Sequence, residues 1–97
     1  MNVSIETVMD LFESAVADGD AQKTLAISMQ LTEQVRSDPL AVKWLTTPAN
    51  IKHVHEILVD GLGVPPKTMM IKDRVPNTQK RAHLFAKGIE NGIRRVV

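Results

Sequence analysis

The chain has 97 residues and a mass of 10.7 kDa, is 24% charged and 43% hydrophobic, and contains no cysteine. These totals describe one small globular domain, residues 1–97, that buries roughly 10,000 Å² on folding, and they exclude disulfides, thiolate zinc sites, iron–sulfur clusters and a cysteine nucleophile. The net charge of +1 conceals two opposed parts: residues 1–64 carry four bases against nine acids, a net −5, while residues 65–97 carry eight bases against two acids, a net +6.

The first predicted element has Ile5, Val8, Met9, Phe12, Ala15 and Val16 at intervals of three and four, with Ser4 as N-cap and Gly19 as a left-handed stop. Asp20 caps a second helix running to about Arg36, whose Leu25, Ile27, Met29, Leu31 and Val35 cover a wide arc, the pattern of an element packed on two sides. Asp38-Pro39 and Thr47-Pro48 each place a capping oxygen before a proline at the first helical position, where the missing N–H costs nothing. They start a short helix with Leu40, Ala41, Trp44 and Leu45 on one face, then a longer one with Ile51, Val54, Leu58 and Leu62, stopped by Gly61 to Gly63.

Between Val64 and Pro76 three prolines bracket Met69, Met70 and Ile71 without a clean period, and a short helix over Lys67–Arg74 is expected. Val75 precedes a proline and is biased to an extended conformation, so the last helix opens at Thr78 with Asn77 as its cap. Ala82, Phe85, Ala86, Ile89, Ile93 and Val96 keep helical spacing there. Gly88 and Gly92 each cost about 1 kcal/mol relative to alanine, and Glu90-Asn91-Gly92 reads as a turn, so this helix is expected to fray or stop after Asn91. The fold class that follows is all-α: one compact domain of five or six short helices in an irregular orthogonal bundle.

On a helical wheel at 100° per residue with Lys80 at zero, Lys87 falls near −20°, Arg94 near −40°, Arg95 near 60° and Arg81 near 100°, whereas the apolar residues fall between about 140° and 260°. The last helix can therefore dock its apolar face and present a basic stripe outward. Leu84 and the small Gly88 lie within that stripe, an arrangement unusual for simple solvation and suited to the close approach of a partner backbone. Residues 67–91 also read as helix, three-residue turn Val75-Pro76-Asn77 and recognition helix, with Gln79 placed to reach a base edge, although the turn lacks the glycine often found there.

Other chemistry finds little support. His53 and His55 stand about 200° apart on a helix and do not converge on a metal, and His83 is the only other histidine. No nucleophile elbow, phosphate-binding glycine loop or His-Glu-x-x-His helix is present, so neither an enzyme, a cofactor nor a bound metal is expected. Only Phe12, Trp44 and Phe85 are aromatic, too few for a base-stacking platform, and they are assigned to the core. No apolar run approaches the roughly 18 residues of a membrane span, and the first basic residue is Lys23, so a cytoplasmic chain without a secretory leader is expected.

The expected function is a non-enzymatic regulatory protein that contacts nucleic acid through Gln79, Lys80, Arg81, Leu84, Lys87, Arg94 and Arg95. The alternative is a protein-interaction module (adaptor, inhibitor or assembly subunit) using the same face, or Met69–Ile71, against an acidic or apolar partner. One version joins the acidic part of one copy to the basic part of the next, head to tail or as a dimer.

Overall fold

Gly19 and Gly63, at φ 68° and 70°, mark where two of the helices turn off their axes. The computed structural model describes residues 3–69 and 78–97, and for Thr68 and Met69 the backbone only. The helices are α1 (Ile5–Ala17), α2 (Ala21–Ser37), α3 (Pro39–Thr46), α4 (Pro48–Leu62) and α5 (Thr78–Arg94), with a short 3-10 turn at Pro66–Met69. The all-α expectation holds, with no strand among the described residues.

The helix ends follow from the capping residues. Ser4 Oγ accepts from Thr7 N–H at 3.2 Å, and Asp20 Oδ1 accepts from Lys23 N–H at 3.0 Å. At the end of α1 the Gly19 and Asp20 N–H groups donate to the Val16 and Ala15 carbonyls, the paired bonds of a Schellman motif that only a left-handed residue completes. Asp38 Oδ1 caps α3 through Leu40 N–H at 3.0 Å, but Thr47, expected to cap α4, makes no such bond. Its hydroxyl turns back and donates to the Lys43 carbonyl at 2.8 Å, so α4 starts on Pro48 without a side-chain cap, and Asn50 Nδ2 ties its first turn to the Trp44 carbonyl at 3.0 Å.

The core gathers Val8, Phe12, Leu31, Leu45, Val54, Leu58, Phe85, Ile89 and Ile93, all fully buried, and Trp44 packs half-buried against it. Helix α5 packs chiefly on α2 and α3. The wide buried arc of α2 comes from a feature the apolar pattern does not reveal. Thr24, Ser28 and Thr32 are buried, while Met29 is exposed. Their hydroxyls donate to the carbonyls of Asp20, Leu25 and Ser28, so each small side chain enters the interior with its polar group satisfied by its own helix. Leu40, expected to share one face of α3 with the buried Ala41 and Leu45, is instead 65% exposed.

Two glycine readings also change. Gly63 ends α4 as expected, and Gly61, in its last turn, has a second role: a Cβ there would overlap Val16 Cγ1, so α1 and α4 approach through the missing side chain. The turn expected at Glu90-Asn91-Gly92 is absent, and α5 runs on to Arg94. Glu90, Gly92 and Ile93 are all buried, and burying that turn of helix outweighs the glycine propensity cost. Val96 falls beyond the helix and is exposed. The helix expected over Lys67–Arg74 is seen only as the 3-10 turn at its start. Its remainder, the Met70–Ile71 part of the methionine stretch and the Val75-Pro76-Asn77 turn of the helix-turn-helix reading lie outside the described residues.

Candidate basic face of the last helix

Helix α5 divides its circumference as the wheel predicts. Ala82, Phe85, Ala86, Ile89 and Ile93 are fully buried against the domain, Lys80 and Leu84 are exposed on the other side, and Gln79 is exposed at the edge of the apolar arc, beside α2 and α3. Lys87 and Arg94 keep side-chain exposures of 45% and 52%. Arg95 is exposed just past the helix end, where its N–H still bonds the Gly92 carbonyl and keeps it near the helical track. Arg81 departs from this outward set. It stands on the flank of the stripe, is half-buried, and has its Nε shielded from solvent.

The sequence pattern missed the most consequential residue of this face. Glu90 is buried, and its carboxylate accepts from Lys87 Nζ at 3.0 Å through Oε2 and meets Arg94 Nη2 at 3.9 Å through Oε1. Lys87, Glu90 and Arg94 are spaced by three and four, so they share one side of the helix. The signal was available, because Glu90 falls near −80° on the same wheel, between the stripe and the apolar arc. The C-terminal half of the stripe is thus partly neutralised from within.

At the other end the structure adds cations from the acidic part of the chain. Arg36, from the last turn of α2, and Lys43, from α3, line the same depression as Gln79. Arg36 also pairs with Glu33 at 3.6 Å, both on exposed surface where such a pair contributes little. His83 lines an adjoining depression with Arg36, Gln79 and Lys80.

His53 Nε2 lies 2.6 Å from Glu13 Oε1 and ties α4 to α1, whereas the His55 ring sits 5.6 Å from the Phe85 ring on the other side of α4. No group of three potential metal ligands occurs among the described residues, and no described helix is long and apolar enough to cross a membrane. No protein-family model, curated protein or solved structure matches the chain.

Proposed function

We propose that this is a non-enzymatic regulatory protein that binds nucleic acid through the exposed face of α5, by contacts to the phosphate backbone. The observation that carries the reading is the division of α5 itself, with its apolar side buried and Lys80, Lys87, Arg94 and Arg95 on the side facing water. A straight helix of 17 residues spans about 25 Å, long enough to lie along a groove and meet several phosphates. Gln79, exposed in the first turn of α5 at the border of that face, supplies an amide of the kind that reads a base edge.

Each neutralised phosphate contributes about −0.9 to the slope of log affinity against log salt on duplex DNA, so five contacts give about −4.5. Glu90 draws on two of the five bases, and the slope is therefore shallower than that figure. The test is fluorescence anisotropy with duplex DNA, single-stranded DNA and duplex RNA between about 50 and 200 mM salt. A paired reversal, Lys80→Glu with Arg95→Glu, leaves the apolar face intact and abolishes the salt-dependent binding. If the reversed protein binds as the original does, the reading is wrong.

Leu84 supports a second reading. It is 43% exposed in the middle of the basic stripe, where an apolar side chain suits an acidic protein surface with an apolar centre better than a row of phosphates. Leu84→Ser weakens capture of such a partner and leaves duplex affinity unchanged.

A further inference from the structure

Two depressions adjoin where the end of α2, the start of α3 and the start of α5 meet. The larger, about 530 Å³, sets apolar Val35, Pro39 and Val42 beside Arg36, Lys43 and Gln79. The smaller, about 320 Å³, shares Val35, Arg36 and Gln79 and adds Lys80 and His83. Both volumes lie within the range of roughly 300–1,000 Å³ that small-molecule sites occupy.

The charge of the cleft is decided by side chains. The helix macrodipoles offset one another only in part, because the end of α2 meets the starts of α3 and α5. Arg36, Lys43 and Lys80 come from three different helices, and among the described residues one carboxylate, Asp38, lines the larger depression. Both Asp38 oxygens are engaged, Oδ1 by Leu40 N–H and Oδ2 by Gln34 Nε2, each at 3.0 Å. Three cations around a concave surface favour an anion, and the planar fork of Arg36 matches phosphate oxygens. The apolar side of the cleft gives a flat ring a surface to cover.

We infer that this cleft is a binding site for a phosphate group carried on a small flat body, of which a nucleoside monophosphate is the simplest form. Arg36 and Lys43 hold the phosphate, Gln79 donates or accepts at the polar edge of the ring, and Val35, Pro39 and Val42 cover its face. The site shares Gln79 and Lys80 with the first turn of the α5 face, but Arg36 and Lys43, which hold the phosphate, lie outside that face, so its occupation does not require that the stripe bind a duplex.

The test is a titration of the full chain with adenosine monophosphate, adenosine and inorganic phosphate, followed by backbone amide NMR shifts. Adenosine monophosphate is expected to move the amides of Arg36, Lys43 and Gln79 in a saturable way, with adenosine at least about tenfold weaker, a hydrogen bond to a charged group being worth about that factor. Arg36→Gln combined with Lys43→Gln weakens binding by about tenfold or more and, both being surface positions, preserves the amide spectrum elsewhere. No saturable shift at millimolar ligand overturns the inference. So do shifts that survive the double substitution, or inorganic phosphate binding as tightly as the nucleotide. Nucleotide binding without duplex binding sinks the stripe reading alone, and the converse sinks the cleft alone.

Discussion

Lys87 and Glu90 form a 3.0 Å ion pair in which the base is half exposed and the acid is buried, and Arg94 approaches the same carboxylate from the other side. A buried carboxylate flanked by two solvent-facing cations holds them in place and also lowers the field they project. If α5 meets phosphates, Glu90 limits the affinity. Glu90→Gln is expected to strengthen duplex binding several-fold at about 50 mM salt and to steepen the salt slope by about 0.9 to 1.8, one or two further phosphates. Both cations reach water once the charge is gone, but the amide that replaces the carboxylate is buried, so folding stability should fall by about 1–3 kcal/mol. Anisotropy and thermal melting of the same variant measure the two effects, and unchanged affinity would contradict the role given to Glu90.

Gly61 and Val16 set the distance between α4 and α1. Alanine is the better helix former by about 1 kcal/mol, yet Gly61→Ala should destabilise the protein by about 1–3 kcal/mol because the new methyl overlaps Val16 Cγ1. Val16→Ala removes that atom. In the double variant the penalty of the glycine change should largely vanish, a coupling that denaturant unfolding of the four proteins measures directly.

Asp38 and Thr47 precede similar Pro-started helices and should differ on substitution. Asp38 caps α3 and accepts from Gln34, whose amide also donates to the Val3 carbonyl and holds the N-terminal segment to α2. Asp38→Ala is expected to cost about 1–2 kcal/mol. Thr47 makes no cap bond to α4, and Thr47→Ala should fall within about 0.5 kcal/mol of the original. Equal losses at the two sites would show that Thr47 caps after all.

Much of the fold was legible in the residues, and the failures have physical causes. Ser4, Asp20, Asp38 and Gly19 act locally, through side-chain oxygens and a left-handed φ, so their roles can be read from a few neighbours. The continuation of α5 through Gly92 depends on burial against other helices, which propensity at one position does not contain. Thr24, Ser28 and Thr32 escaped an apolar count because each hydroxyl is satisfied by a carbonyl of its own helix. The stripe was legible as an arc on a wheel. Its neighbours Arg36 and Lys43 were not, because they lie far off in sequence and reach α5 only through the packing of α2 and α3.

The most direct test of the α5 reading is the salt dependence of duplex binding by the original chain and by the Lys80→Glu, Arg95→Glu protein, measured side by side. A straight fall of log affinity with log salt, at a slope between about −2 and −4.5 and lost in the reversed protein, is the expected result. Absence of binding at about 50 mM salt, or binding that neither salt nor the reversal changes, would contradict it.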